Sequence, residues 1–169
     1  MSGSEAAGAE VPYVTSVVEL MELLRGSPDE HALRTAALLR RSHPSDKELQ
    51  LAGLLQDIGR MLRPGDGARH VVLAAQALRP LLGDRVARLV QLHASAAPGG
   101  GGGDRPGGDA DAVAALRQAR ETAAAPGPDA GVLEDWRPLL ELVAAGSCRA
   151  AGNATGPLGP PRGPVTGRR

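Results

Sequence analysis

Apolar residues recur three and four positions apart through most of the first hundred residues, which is the period of helices that bury one face. Val17, Val18, Met21 and Leu24 predict a short helix over 14–24, closed near Gly26. Ser27-Pro28-Asp29-Glu30 predicts a helix start, with Ser27 as cap, Pro28 at the first helical position and Glu30 completing a capping box. The helix that follows runs from His31 to Ser42, with Leu33, Ala36, Ala37 and Arg40 on its period. Ser45-Asp46-Lys47-Glu48 repeats the device and opens one helix through Leu51, Leu54, Leu55, Ile58 and Leu62. Arg63-Pro64-Gly65-Asp66-Gly67 reads as a turn, and Ala68 to Leu78 as a fourth helix that Pro80 and Gly83 end. Asp84 caps a fifth, carrying Val86, Leu89, Val90 and His93.

After Ala97 the pattern changes. Pro98 to Gly108 reads PGGGGGDRPGG, a composition expected of a flexible linker. Val113, Leu116 and Ala119 or Arg120 restore a helical face over 110–123, and Pro126-Gly127-Pro128 breaks it. Val132 to Ala145, with Trp136, Leu139, Leu140 and Leu142, predicts a last helix, provided Pro138 lies near its first turn. The expected organisation is a disordered start (1–12), a helical core (13–97), the linker (98–109), docking helices (110–145) and a disordered Pro/Gly-rich tail (146–169). The expected fold class is an all-α bundle.

Composition agrees with helix-on-helix packing. The chain has no Phe, one Tyr and one Trp, so the core must be built from Leu, Val, Ala and Ile. With 19 basic and 19 acidic residues the net charge is zero, which gives no electrostatic reason to expect nucleic acid or an anionic membrane as partner. No apolar run approaches the roughly 20 residues of a membrane span. The first ten residues, MSGSEAAGAE, lack the charged and apolar regions of a signal peptide, and the single Cys148 rules out an internal disulfide. Both features fit a cytoplasmic protein. Asn153-Ala154-Thr155 matches a glycosylation sequon, which has no use without secretion.

The candidate chemistry lies in three histidines and an aspartate. His31 and Asp57 are separated by one helix–turn–helix, as are His70 and His93, so the four can converge at a bundle centre. Imidazole and carboxylate together suit iron, zinc or manganese. Packed or surface histidines have the same spacing, and both readings stay open on the residues alone. His43, beside Pro44 in a connection, is expected to face solvent.

The order of these residues resembles a known family. His31-Ala32-Leu33-Arg34-Thr35-Ala36 followed by Leu51-Ala52-Gly53-Leu54-Leu55-Gln56-Asp57-Ile58-Gly59 resembles the HD-domain superfamily, whose second motif reads A-L-L-H-D-I-G. The closer likeness is to HD-type di-iron oxygenases, the myo-inositol oxygenase and organophosphonate-cleaving enzymes. His70 and His93 fit their third and fourth motifs, with Gly83-Asp84-Arg85-Val86-Ala87 between. Ala114-Ala115-Leu116-Arg117-Gln118-Ala119-Arg120-Glu121 is similar to their Leu-Arg-x-Trp-Asp helix, and 133–140 to their closing segment.

The resemblance implies two irons about 3.5–4 Å apart, bridged by the aspartate of the HD pair. It places His31 as first ligand, Asp57 as bridge, and His70 with His93 on the second iron. Two ligand positions are altered: Gln56 stands where the family has histidine, and Arg120 where it has aspartate. A glutamine carbonyl is a poor ligand for iron, and a guanidinium cannot ligate at all. Both changes strike the first iron, whereas Asp57, His70 and His93 retain a two-histidine, one-carboxylate set able to take one divalent ion, iron or manganese. The family's substrate lysine after the fourth histidine is replaced by Ala94-Ser95-Ala96-Ala97, and the loop before His31 is shortened to Gly26-Ser27-Pro28. Tyr13 lies too far upstream to stand in for that loop's tyrosine.

The resemblance therefore implies a degenerate member, a pseudoenzyme with a binding role, in which Arg120 pairs with Asp57 in place of the metal. The alternative is an enzyme: an iron-dependent oxygenase of a small phosphonate or polyol, or a one-metal phosphohydrolase. A third possibility is a scaffold whose Pro-rich tail recruits a protein partner through polyproline recognition.

Overall fold

The computed structural model describes residues 14–65, 69–95, 107–127 and 129–154. Among these residues there are eight α-helices and one 3-10 turn, and no strand. The helices are α1 (Val17–Gly26), α2 (Glu30–Ser42), α3 (Lys47–Leu55), α4 (Ile58–Leu62), α5 (His70–Leu82), α6 (Asp84–Ser95), α7 (Gly107–Ala123) and α8 (Arg137–Ala154), with the 3-10 turn Leu133–Trp136 before α8. No helix among them is long and apolar enough to cross a membrane.

α3 is the central element. Every residue from Leu49 to Leu55 is buried, and α3 touches α2, α6, α7 and α8. Around it Leu20, Leu39, Leu78, Leu82, Leu89, Leu116 and Trp136 are fully enclosed. Trp136, the largest of them, packs one face under the Arg40 guanidinium, 3.9 Å from the ring centroid.

Both interhelical caps differ from the expected residues. Asp29, not Ser27, caps α2, accepting from the Ala32 N–H at 3.1 Å, and Asp46, not Ser45, caps α3, accepting from the Leu49 N–H at 3.1 Å. A carboxylate at a helix start gains the dipole as well as the hydrogen bond, which a hydroxyl does not. The expected capping box does not form, because with Asp29 as cap Glu30 stands at the first helical position, where it pairs with Arg34 at 2.8 Å.

The helix expected to run unbroken to Leu62 is divided. Gln56 and Asp57 separate α3 from α4, and Asp57 adopts a non-helical φ of −106° and ψ of 10°. The bend lets α4 meet the start of α5 at Gly59, where an added Cβ would lie 1.8 Å from the His70 carbonyl oxygen. The apolar stripe survives the break, since Leu54, Leu55 and Ile58 all remain buried.

Three further boundaries are corrected. Pro80 does not end α5, which continues to Leu82: Gln76 and Pro80 are exposed, so water can take the carbonyl that proline leaves free, while Leu81 and Leu82 are buried. Gly83, with φ of 94°, ends it. α7 begins at Gly107, inside the expected linker, with Asp109 of its first turn paired to Arg88 at 2.7 Å. α8 passes the expected end at Ala145 and runs to Ala154, with Pro138 in its first turn. Ala144 is buried and Ser147 packs on Gly83, which gives the extra turns a surface. The expected disorder of 1–12, of the linker over 98–106 and of the tail over 155–169 lies outside the described residues.

Arg85 joins three of these pieces. Its two terminal nitrogens donate to both oxygens of Asp46 at 2.7 and 2.8 Å, and one also to Glu48 at 2.9 Å. Its Nε lies 3.5 Å from Asp109. The Arg85 hydrogen bonds hold the Asp46 carboxyl below its ordinary range, against a smaller opposing effect of burial.

Two outcomes follow from this packing. Gly59→Ala should cost roughly 3 kcal/mol in urea unfolding, because backbone must move, whereas Gly146→Ala, with open space around its Cβ, should gain about 0.5 kcal/mol. Because the folded pKa of Asp46 is depressed, its stabilisation is complete above the unfolded value of about 4 and fades as pH falls below it. The stability gap between the natural chain and Asp46→Asn, read as urea midpoints, should therefore be constant from pH 6 to about 4 and shrink below that.

Candidate functional site

The four candidate residues occupy the ends of helices. His31 is the second residue of α2, Asp57 sits in the α3–α4 break, His70 opens α5, and His93 lies near the end of α6. α7 lies against α2, α3 and α6 and brings Arg117 and Arg120 to the same region.

The His31 Nε2 is 3.0 Å from the backbone carbonyl of Arg120. A carbonyl only accepts, so this nitrogen carries the proton and donates. The neutral ring then keeps its lone pair on Nδ1. One turn on, the Thr35 hydroxyl donates to the His31 carbonyl at 2.8 Å and accepts from Gln56 Nε2 at 3.4 Å. Gln56 is fully buried, and its Oε1 has no hydrogen-bond partner among the described residues.

Asp57 is nearly enclosed, its side chain 14% exposed, and does not cap α4. Its Oδ1 lies 3.8 Å from Arg120 Nη2 and 3.8 Å from Arg60 Nε. Both are ion pairs, and both are too long for hydrogen bonds. Arg120 thus meets the centre twice, through its guanidinium at Asp57 and its carbonyl at His31.

His93 is buried, and its Nδ1 donates to the Val90 carbonyl. Burial pushes its imidazole below the ordinary range, opposed by the Val90 carbonyl. The Arg120 charge lowers it further, Asp57 opposes that, and Arg117 adds to the lowering. The ring is neutral at pH 7. Arg117 Nη2 is itself buried with no partner among the described residues. His43 is exposed as expected, 2.8 Å from the Ser42 hydroxyl.

His70 is half-buried and packs its backbone on Gly59. Among the described residues no group of three or more His, Cys, Asp or Glu is arranged to hold a metal ion. The set expected to keep one ion, Asp57, His70 and His93, is not brought together as such a group. The Arg120 guanidinium lies 3.8 Å from Asp57, where its charge disfavours a cation beside that carboxylate. In this arrangement the residues do not fit a dinuclear metal centre.

A cavity of about 970 Å³ opens beside the constellation, between the end of α1, the start of α2 and α4, with His31, Arg34, Asp57, Arg60 and Met61 on its wall. Thr35 and Arg117 are additions to the expected residues. Thr35 was signalled by its place four residues after His31, and Arg117 by its place three before Arg120, each on the same helical face as its neighbour.

No protein-family model matches the chain, and no curated protein is detectably similar to it in sequence.

The paired contacts of Arg120 set an expected outcome. In a double-mutant cycle of Asp57→Asn with Arg120→Met, read by urea unfolding, the coupling should be about 0.5 kcal/mol, the value of an ion pair without a hydrogen bond. A coupling near zero would mean that Arg60 alone balances Asp57.

Proposed function

We propose that the chain is a degenerate helical protein of the HD-domain type, related to di-iron oxygenases, that acts by binding and not by turnover. The observation carrying this reading is Arg120, whose guanidinium lies 3.8 Å from Asp57 while its carbonyl accepts a hydrogen bond from His31 Nε2. In the resemblance, His31 and Asp57 are the ligands of the first iron, and Arg120 replaces its last carboxylate. The Arg120 side chain thus supplies to Asp57 the positive charge that a divalent ion would supply, and its backbone carbonyl holds the His31 Nε2 as a proton donor. Gln56 completes the substitution by giving its amide to Thr35 in place of a ligand nitrogen.

The test is metal content of the chain purified without chelator, beside the double variant Gln56→His with Arg120→Asp. The natural chain should hold less than about 0.1 ion, and the double variant should gain iron or manganese in stoichiometric amount. One tightly held iron or manganese in the natural chain would overturn the reading in favour of a single-metal enzyme. Turnover of a phosphoester or a small phosphonate, lost on Asp57→Ala, would then separate hydrolase from oxygenase.

A further inference from the structure

α7 is held to the core by few large apolar side chains together with polar contacts at both of its ends. Its buried apolar side chains are one leucine, one valine and alanines: Leu116, Val113, Ala112, Ala119 and Ala123. α3, shorter by nearly half, buries four leucines. Apolar burial therefore anchors α7 weakly for its length. Polar contacts at its two ends supply the rest. At the start, Asp109 meets Arg88 at 2.7 Å and Arg85 at 3.5 Å. Toward the end, Arg120 meets Asp57, its carbonyl meets His31, and the Ala123 carbonyl accepts from Arg34 at 3.5 Å.

The core partners of these contacts have replacements already in place. Without Asp109, Arg85 keeps both oxygens of Asp46 and one of Glu48, losing only its longest contact. Without Arg120, Asp57 keeps Arg60 at an equal distance. Arg88 is half exposed, so water can solvate it. The closed state is also imperfect: Gln56 Oε1 and Arg117 Nη2 stay buried and unpartnered in the same neighbourhood. A weak apolar anchor, partners that survive separation and unsatisfied buried groups are the features of an element near the low end of local stability.

We propose that α7 is a displaceable strap, latched to the core by Asp109 on Arg85 and Arg88, whose release exposes His93 and frees His31 and Asp57 from Arg120. In the latched state the chain closes its own centre: the His31 donor and the Asp57 charge are both occupied by one residue of the strap. The inference is independent of the family resemblance, because it concerns how α7 is held and not what the centre once bound.

Amide hydrogen exchange on the full chain tests it, with Asp109→Asn and, as control, Asp111→Asn, whose parent carboxylate is exposed two residues on in the same helix. In the natural chain, amides of 112–123 should exchange faster than those of α3 and α5. Asp109→Asn should speed them about tenfold further, and leave α3 and α5 unchanged, while Asp111→Asn should not. Raising salt to about 1 M, where the screening length is about 3 Å, should reproduce the selective loosening in the natural chain without any substitution. Acylation of the His93 ring should rise in step with α7 exchange. The proposal is overturned if α7 exchanges only together with α3 and α5, if the two substitutions act alike, or if His93 labelling stays constant while α7 opens.

Discussion

A nearly enclosed carboxylate at a helix break needs a positive charge, and Asp57 is where this molecule meets that requirement. The α3–α4 bend points the aspartate inward and forgoes its use as a helix cap. A carboxylate so placed is costly unless paired. Arg60 answers from the next turn, and Arg120 from a helix more than sixty residues away. The second answer organises the surroundings. It fixes the register of α7 against α2, brings the Arg120 carbonyl to His31, and places two guanidinium groups near the buried ring of His93. The His93 imidazole is held neutral by burial and by those same charges, so it adds no further cation to the site.

The helices were legible because their signals are local. Apolar spacing located the helical segments of the core but joined α3 and α4 into one, and turn residues located most of the ends. What sequence missed depends on partners distant along the chain. Nothing near Gln56 announces a break, since leucines on both sides keep the helical period; the bend exists because Gly59 fits under the His70 carbonyl. Pro80 is a helix breaker by itself, and only the burial of Leu81 and Leu82 beyond it carries α5 onward. Asp29 and Asp46 displaced the neighbouring serines as caps because carboxylates were available one or two positions later, and Arg85 then made Asp46 the firmer choice.

The site was legible in a different way. Motif order singled out His31, Asp57, His70 and His93, and the expected pairing of Arg120 with Asp57 is present at 3.8 Å. Among the described residues Asp57, His70 and His93 are not gathered into one group, and ligand spacing says only which helix ends can meet. His93 donates its Nδ1–H to the carbonyl three residues back and His31 its Nε2–H to the Arg120 carbonyl, which fixes each ring's tautomer. Those commitments depend on backbone carbonyls, which every residue carries and no motif reveals.

Replacing an ion by a side chain of the same sign is not a neutral exchange. A divalent cation draws several ligands to about 2 Å and fixes each one's direction. A guanidinium offers donors in one plane, and here it reaches a single oxygen at ion-pair distance. On the proposed reading the substitution keeps the charge balance of the centre and loses much of its directional hold. Two buried atoms near this centre have no partner among the described residues, Gln56 Oε1 and Arg117 Nη2 one turn before Arg120. A centre closed by charge alone depends on the helix that carries the charge staying in place, and that helix buries one leucine, one valine and alanines.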